Sequence, residues 1–270
     1  MSQRDWANEA FLDRPNVARM WDYFLGGYHN FAVDREAAER AIELYPDMPL
    51  VAQTTRNFLR KTMRFLLDQG VDQFLDLGSG IPTVGNVHEV VQAVNPAARV
   101  VYVDVDPIVI AHSSAILGGT AHTLALQADV RHPEQIIEHP EVRRALDWTR
   151  PLGIVAIALF HFISDDAEVL HIVDVLRKSL PPGSYVVITH ATADSVSALL
   201  AEEGEHNYQR ANLPLHFRSH DQVARFFEGL DLVPPGVVYL PLWRPDVDDN
   251  PVVAKQPERS ANYGGVGLKR

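Results

Sequence analysis

Apolar and polar residues follow two different rhythms along the chain, and the change falls near residue 70. Before it, apolar residues recur at helical spacing over Asn16–Phe24, in the run that Asp34 opens, and over Pro49–Asp68. After it, short β-rich runs alternate with helical segments, which is typical of repeated βα units and a mainly parallel sheet. The pattern predicts a single α/β domain with a helical N-terminal cap over residues 1–70 and a core over residues 71–270.

The alternation predicts seven strands separated by helices. The predicted strands are Gln73–Leu77, Arg99–Asp104, Thr123–Gln127, Gly153–Ala158, Ser184–His190, Gly236–Leu240 and Gly264–Leu268. The predicted helices of the core are Val84–Val94, Pro107–Leu117, Asp165–Ser179, Asp194–Glu203 and a helix from Ser219 to Glu228. The Pro- and Asp-rich stretch from Leu242 to Pro257 is predicted to be a surface loop, with its acidic run Asp246–Asp249 solvated.

Composition and charge narrow the class of partner. The 46% of hydrophobic residues suit a globular domain with a sizeable core, and no apolar run approaches the ~20 residues of a membrane span. The net charge of −11 repels a phosphate backbone or an anionic membrane. The absence of cysteine excludes disulfides, thiolate zinc sites and a Cys nucleophile. We therefore expect a cytoplasmic protein with a small-molecule partner and with neither a nucleic-acid nor a membrane partner.

A glycine turn follows the first predicted strand. Asp76-Leu77-Gly78-Ser79-Gly80 ends an apolar run, and such a turn before a helix lets polar ligand atoms approach the backbone closely. The third glycine of a G-x-G-x-x-G dinucleotide motif is absent, and Asp76 would repel a pyrophosphate but suit an ammonium group. On their own, Gly78 and Gly80 also fit a simple strand-to-helix turn.

Acidic residues also end the second and third predicted strands. Asp104 lies about two dozen residues after the glycines, where a carboxylate can accept hydrogen bonds from both hydroxyls of a ribose. Asp106 precedes Pro107 and is expected to cap a helix. Asp129 could accept from an adenine amino group while Val130 packs on the ring, although an isolated Asp there is more typical of a turn.

Together these residues resemble class I S-adenosylmethionine-dependent methyltransferases, which implies a Rossmann-like fold with S-adenosylmethionine as cofactor and S-adenosylhomocysteine as product. Asp76 to Gly80 is similar to their first motif, Asp104 to their second and Ala128 to Val130 to their third. Ile154 to Ile163 is similar to their fourth segment, with His161 where many members carry a histidine. The resemblance implies cofactor contacts at Asp76, Gly78, Ser79, Gly80, Asp104, Val105, Asp129, Val130, Ala158 and Phe160.

The two ends of the chain resemble a narrower family. Asn16–Phe31 and Asn262–Gly267 are similar to the start and end of an actinobacterial family of S-adenosylmethionine methyltransferases, formerly a domain of unknown function. In that family the segment Tyr23–Asn30 would close over the methionine end of the cofactor. The implied contacts in this segment are Tyr23, Gly27 and His29. A glycine pair among aromatic and polar residues also suits a loop over a ligand.

Methyl transfer from a sulfonium has a neutral leaving group, so the protein contributes mainly positioning and exclusion of water. A hydroxyl acceptor would benefit from a base, for which His161 and His29 are the candidates, although either also fits a hydrogen-bonded structural histidine. The twelve histidines form no H-E-x-x-H pattern, and we expect no metal. Many relatives carry Asp or Asn where this chain has Ala156 and Ala158, and no N/D-P-P-Y/F sequence indicates amino-methylation of bases.

We therefore expect a methyltransferase that acts on an unidentified small molecule, and two alternatives stay open. A protein that binds S-adenosylmethionine without transferase activity would lack an acceptor pocket, whereas an apolar cavity faced by His29 or His161 would favour the enzyme. A nicotinamide-dependent oxidoreductase is disfavoured by Asp76 and the missing third glycine. The aromatic residues Trp21, Tyr102 and Trp243 are expected to pack rather than to line a pocket.

Overall fold

The computed structural model describes residues 14–82, 85–118, 122–210 and 215–270. The described chain begins with three helices, α1 (Val17–Phe24), α2 (Ala32–Leu44) and α3 (Met48–Asp68). The Asn16 side chain caps α1 by accepting the backbone N–H of Arg19. Between residues 14 and 70 the structure thus places helices where the sequence predicts them, and residues 1–13 of the predicted cap lie outside the described residues.

Strands and helices alternate through the core as the sequence predicts. The strands are β1 (Gln73–Leu77), β2 (Arg99–Asp104), β3 (Thr123–Gln127), β4 (Gly153–Ala156), β5 (Tyr185–Ala191), β6 (Asp231–Leu232), β7 (Val238–Tyr239) and β8 (Asn262–Leu268). The helices are α4 (Val87–Gln92), α5 (Pro107–Ile116), α6 (Pro133–Glu138), α7 (Pro140–Ala145), α8 (Asp166–Ser179), α9 (Ala198–Arg210), α10 (His220–Arg225) and α11 (Pro251–Lys255).

The bounds of β1, β2 and β3 agree with the prediction residue for residue, and other bounds differ. β4 ends two residues early because Ala158 takes a positive φ of 55° and turns the chain out of the sheet. α9 begins at Ala198 rather than Asp194. The predicted helix start at Val84 lies outside the described residues. The short elements α6, α7, α11 and β6 were not predicted, because each is too short to show a period.

The sheet is mainly parallel, with strand order β3-β2-β1-β4-β5-β8-β6 and β7 also paired to β8. Strands β1 to β5 run parallel, and β8 is antiparallel to β5. β6 and β7 pair with different parts of β8, so they share one edge position. The sequence predicts seven strands and the structure has eight, but these eight occupy seven positions across the sheet. Pro234 and Pro235 separate β6 from β7, since proline has no N–H for a strand ladder.

The strands are apolar on both faces, so helices must cover both. Leu75 and Val101 belong to one apolar cluster, which includes side chains from α6, α7, α8 and α10. Their neighbours Phe74 and Tyr102 point to the opposite face, where the second cluster includes side chains from α3 and α4. Trp243 is fully buried in this second cluster, so both Tyr102 and Trp243 are packing residues as expected.

The N-terminal helices are joined to one another and to the core. Arg19 on α1 forms a buried ion pair with Asp34 on α2, with Nε and Oδ2 2.6 Å apart. Asn16, just before α1, donates its side-chain amide to the carboxylate of Asp106 at the start of α5. Met20 on α1 packs among the alanines of α2. These contacts place α1 beside the carboxyl end of β2.

The expectation that the acidic run Asp246–Asp249 is solvated is wrong for Asp249. Asp249 forms an ion pair with Lys61 on α3 at 3.0 Å, and the two side chains are only 6% and 5% exposed. Arg60, next along α3, pairs with Asp246 at 2.7 Å and with Asp248 at 3.1 Å. The acidic run supplies counterions for a distant helix, and no local pattern could show this.

α3 is 21 residues long and has one buried face that carries residues such as Phe58 and Met63. In the part of the chain that the structure describes, neither α3 nor another helix combines the length and the apolar character needed to span a bilayer.

Candidate active site

A cavity of about 790 Å³ opens where the parallel strands end. β1 lies between β2 and β4, so the strand order reverses at its carboxyl end. Ligands of open α/β sheets bind in the crevice at such a switch point. Most of the predicted cofactor residues line this cavity: Asp76, Gly78, Ser79, Gly80, Asp104, Val105, Asp129, Val130 and Ala158, joined by His161. The fold thus brings together residues that the sequence places up to 85 positions apart, from position 76 to position 161.

Two predicted cofactor residues, Tyr23 and Phe160, are not among the residues that line this cavity. The Tyr23 hydroxyl donates to the carboxylate of Glu39 on α2 at 2.9 Å, and this hydrogen bond raises its pKa. Phe160 is fully buried in the apolar cluster that includes side chains from α8. Both side chains therefore have structural contacts away from the cavity.

Gly27 and His29 are also not among the residues that line the cavity. The backbone N–H of His29 donates to Oδ2 of Asp22 at 2.7 Å, while its ring packs edge-on against His112. A Cβ at Gly27 would stand 2.0 Å from Oδ1 of Asp22, so only glycine fits there. Asp22 itself lines the cavity, and the glycine pair serves to fold the loop around this carboxylate. The structure does not bring the His29 side chain to the cavity as a base.

The glycine turn after β1 has the geometry that its sequence predicts. Gly78 and Gly80 have φ values of 66° and 61°, a region that favours glycine. The N–H of Gly80 donates to Oδ2 of Asp104 at 2.9 Å, which ties the turn to the end of β2. A Cβ at Gly78 would stand 2.5 Å from the Leu159 side chain, so the lack of a side chain here allows the segment after β4 to pack against the turn.

Asp104 is a buried carboxylate held by backbone donors. Its Oδ1 accepts the N–H of Asp106 at 3.0 Å, and its Oδ2 accepts that of Gly80. Burial raises its pKa, and these hydrogen bonds oppose that shift. Each oxygen keeps a further lone pair, which suits a pair of hydroxyl donors. Asp106 caps α5 by accepting the N–H of Ile108 at 2.7 Å, as the sequence predicts.

The predicted acid that follows β3, Asp129, forms an ion pair with Arg131, with their nearest atoms 2.5 Å apart. The hydrogen bonds from the guanidinium lower the pKa of Asp129, so the carboxylate stays ionised. Val130 lies beside it in the cavity wall, and Val105 is 58% exposed at the same wall.

Asp76 is 7% exposed at the end of β1. Burial raises the pKa of this carboxyl to about 8, against the opposing effect of the Arg56 guanidinium. Within the described residues, its carboxylate has no hydrogen-bond donor. A buried acid without a donor, in the wall of a cavity, is suited to a cationic group.

Arg56 and Asn86 line the same cavity and were missed by the sequence analysis. Arg56 donates from one terminal nitrogen to the Asn86 side-chain oxygen and at 3.4 Å to the carbonyl of Gly85. Nε of Arg56 and Nδ2 of Asn86 are both buried without a hydrogen-bond partner in the described part of the chain. Asn86 precedes α4 yet makes no capping bond, so the sequence pattern alone would have assigned it as a helix cap and not as a cavity residue.

Ala158 lines the cavity just after β4. Its N–H donates to Oγ1 of Thr189 at 2.8 Å, and its φ of 55° is strained for a residue with a Cβ. Backbone strain of this kind is found at functional sites because the surrounding structure holds it in place.

A smaller cavity of about 110 Å³ adjoins the first, and the two share Val17, Trp21, His161 and Phe162 in their walls. The smaller cavity lies between α1, α2, the start of α3 and α9. Among the described residues, its lining contains no Asp, Glu, Lys or Arg side chain. Trp21 was expected to be a packing residue, and the structure instead places it in the wall of both cavities.

His161 is 5% exposed at the junction. Its Nδ1 accepts the backbone N–H of Ala191 at 3.4 Å. Burial, followed by the nearby His190 and Arg218, holds its pKa well below 6.5. The ring is therefore neutral at pH 7, and its hydrogen is on Nε2 because a backbone N–H can only donate.

Comparison with known proteins identifies the family. A family model described as S-adenosyl methyltransferase matches residues 5–270. The chain belongs to the S-adenosyl methyltransferase family. It is thus an S-adenosylmethionine-dependent methyltransferase, and the predicted family, enzyme class and cofactor are confirmed. The alternative of a binding protein without activity is not favoured.

Two solved structures share both sequence and fold with the methyltransferase. A candidate methyltransferase from Thermobifida fusca is 40% identical, covers 96% of this chain and 97% of its own, and superposes with a TM-score of 0.89. A DUF574 family protein from Streptomyces avermitilis is 36% identical, covers 96% and 99%, and has a TM-score of 0.90. A protein of Bordetella parapertussis, 16% identical over 96% of this chain and 82% of its own, shares the fold alone with a TM-score of 0.58. A search among curated proteins found no match.

Proposed function

We propose that the methyltransferase transfers the methyl group of S-adenosylmethionine to a small molecule held between α1 and α9. The observation that carries this proposal is the pair of adjoining cavities, one polar and one without charged side chains, which share His161 and Trp21. The polar cavity suits the cofactor, and the smaller cavity suits an acceptor beside it. A protein that only bound the cofactor would have no use for the second cavity.

The polar cavity fits an adenosine group at the ends of β2 and β3. Asp104 would accept hydrogen bonds from the two ribose hydroxyls with the lone pairs that the backbone donors leave free. Asp129 would accept from the adenine amino group, and Val105 and Val130 would pack against the ring.

The end of the cavity at β1 fits the amino acid part of the cofactor. Asp76 accepts no hydrogen bond from the described residues and would pair with the ammonium group. Arg56 and Asn86 have buried donors, Nε and Nδ2, without a partner in the described part of the chain, and these would bind the carboxylate. A zwitterion would complete the bonding of all three side chains at once, because unpaired buried polar groups are costly.

Bound S-adenosylmethionine supplies an electrophilic methyl group on a sulfonium. The protein orients the two reactants and excludes water from between them. Arg218 donates to the carbonyls of Phe160 at 3.0 Å and Ile163 at 2.8 Å, which fixes the segment after β4. Trp21 and Phe162 form apolar walls that exclude water from the junction. His161 offers an N–H there rather than a base.

Isothermal titration with S-adenosylmethionine, S-adenosylhomocysteine and NAD tests the cofactor site. We expect the first two to bind and NAD not to bind. Asp104→Asn should weaken the affinity for S-adenosylmethionine and for S-adenosylhomocysteine by roughly 10- to 100-fold, because a hydrogen bond to a charged group contributes about 1.5–3 kcal/mol. Asp221→Asn is the matched control, since that side chain is 98% exposed.

An intact control together with a weakened Asp104→Asn variant supports the site. Binding of NAD alone, or equal affinity in all three proteins, would overturn it.

A further inference from the structure

We propose that the smaller cavity accepts the ring of an uncharged, planar aromatic molecule and that the atom methylated is a neutral nitrogen. This inference rests on the proposed function, since the methyl donor must occupy the adjoining polar cavity. Three properties of the lining carry it: charge, shape and the absence of a base.

The lining excludes charged acceptors. Within the described residues, neither a carboxylate nor an ammonium or guanidinium group reaches this cavity. Tyr208 is partly buried, and burial raises its pKa to about 12, so its hydroxyl stays protonated at neutral pH. His161 is neutral for the same reason of burial. An ionised acceptor would lose its hydration here without gaining a counterion.

The shape and size favour a flat ring. The aromatic rings of Trp21, Phe24, Phe162 and Phe217 stand around the cavity, and aromatic pairs gain from edge-on or offset contacts. The volume of about 110 Å³ is near the ~150 Å³ of an engineered protein cavity that binds benzene. One ring therefore fits inside, and the reacting atom lies toward the junction at His161.

The junction lacks a general base among the described residues. His161 presents a hydrogen on Nε2, and its lowered pKa makes it a poor proton acceptor. Asp22 follows Trp21, but its Oδ2 accepts from the His29 N–H and from the Asn30 amide. Its Oδ1 has no hydrogen-bond partner among the described residues, but it is buried against Gly27 with almost no accessible surface through which to take a proton. A hydroxyl acceptor would have to lose a proton during transfer, and no described group at the junction is open to take it.

A neutral nitrogen needs no such group. Its lone pair forms the new C–N bond while the C–S bond breaks and its electron pair stays on sulfur. The positive charge moves from sulfur to nitrogen, so total charge is conserved. If the nitrogen carries a hydrogen, the proton then passes to water in the larger cavity, which leaves a neutral methylated amine.

A panel of one- and two-ring compounds in matched aromatic amine, hydroxyl and carboxylate forms tests the acceptor class. Direct binding is measured by titration in the presence of S-adenosylhomocysteine, and turnover by mass spectrometry of the methylated product. We expect the amines and hydroxyls to bind and the carboxylates to bind at least on the order of tenfold more weakly. We expect only the amines to be methylated. Tighter binding of carboxylates, faster methylation of hydroxyls, or no binding of any ring would overturn the proposal.

Gly204 on α9 allows a test that does not touch the cofactor site, because it lines the smaller cavity and is not among the residues of the larger one. A Cβ there would meet nothing closer than the Phe217 ring at 3.7 Å, so Gly204→Ala fits and Gly204→Leu fills the cavity. Alanine and leucine are both better helix formers than glycine, so neither substitution should weaken α9. The control is His206→Leu, an exposed position of the same helix.

We expect ring binding to weaken slightly in Gly204→Ala and on the order of tenfold in Gly204→Leu, with S-adenosylmethionine affinity unchanged in all three variants. Unchanged ring binding in Gly204→Leu would overturn the acceptor site alone. Loss of S-adenosylmethionine binding by the unaltered protein would instead overturn the proposed function, so the two failures are distinguishable.

Discussion

At the scale of single residues, the cavity keeps polar groups in states that cost stability. Asp76 is buried with a pKa raised to about 8, and Nε of Arg56 is buried without a partner among the described residues. Groups of this kind are retained when a ligand completes their bonding, which is why functional sites and stability oppose each other.

Asp76 should make stability fall with rising pH. Its folded pKa lies above its unfolded value of 3.8, so the folded state binds more protons between about pH 4 and pH 8, and stability is lost across that window. Asp76→Asn should therefore melt several degrees higher than the unaltered protein at pH 9 and about equally at pH 4, while binding S-adenosylmethionine more weakly. Thermal melts at both pH values check this. A variant that melts lower at pH 9 would contradict it.

The buried histidines act in the opposite direction. His190 has a folded pKa lowered from 6.5 to about 4, chiefly by burial, and that of His161 is lowered well below 6.5. Between the unfolded pKa of 6.5 and the lower folded pKa, the unfolded state binds more protons than the folded state. The stability that the two neutral histidines contribute is therefore present above pH 6.5 and is lost as the pH falls toward 4. Urea unfolding of the Asp76→Asn variant, which removes the opposing effect of Asp76, should show lower stability at pH 5 than at pH 7, and adding His190→Gln should reduce that difference. An unchanged difference would rule out this role for His190.

At the scale of elements, one side chain holds together the segment after β4. Arg218 is 3% exposed and donates to the carbonyls of Phe160 and Ile163, to Nε2 of His190 at 2.8 Å and to Asp166 at 2.7 Å. The wall that carries His161 thus depends on a residue more than fifty positions later, and no periodicity in the sequence indicates this link.

Arg218→Met should destabilise the fold by about 3–5 kcal/mol, because it removes a buried charge from partners that stay in place. Arg218→Lys should recover part of that loss but not the fork of donors that Phe160 and Ile163 accept. Urea unfolding measures the first effect, and the exchange rate of the Ala191 amide, which donates to His161, reports the second. Equal stability of all three proteins would exclude this positioning role.

At the scale of the whole molecule, the cavity lies between the helical cap and the sheet. α1 contributes Trp21 and Asp22 to its wall and is tied to α2 by the buried pair of Arg19 and Asp34. A ligand that contacts both parts should therefore stabilise them together.

S-adenosylhomocysteine at a hundred times its Kd should stabilise the protein by about 2.7 kcal/mol and raise Tm by several degrees. Hydrogen exchange should slow most in α1 and in the turn at residues 78–80, because both line the cavity. Protection confined to the turn would show that α1 does not close on the cofactor.

The fold and half of the site could be predicted because their signals are local. β1, β2 and β3 are apolar runs with clear ends, and the turn at Gly78 and Gly80 requires a backbone that glycine alone adopts readily. Acids at strand ends meet at one edge of a parallel sheet, so Asp76 and Asp104 could be placed in the same cavity before the structure was known. The sequence by itself determined the strands of a mainly parallel sheet and the acids at their ends, whereas the strand order came from the structure.

The tertiary structure alone decided which other side chains reach the cavity. Arg56 lies on α3, and the sequence does not show which of the polar residues of this helix face the cavity. That depends on how α3 is rotated against the sheet. His29, predicted from resemblance, packs against His112 instead, because the loop folds around Asp22. The smaller cavity exists only where α1, α2, α3 and α9 come together, since a void between distant elements is a property of their packing and leaves no pattern along the chain.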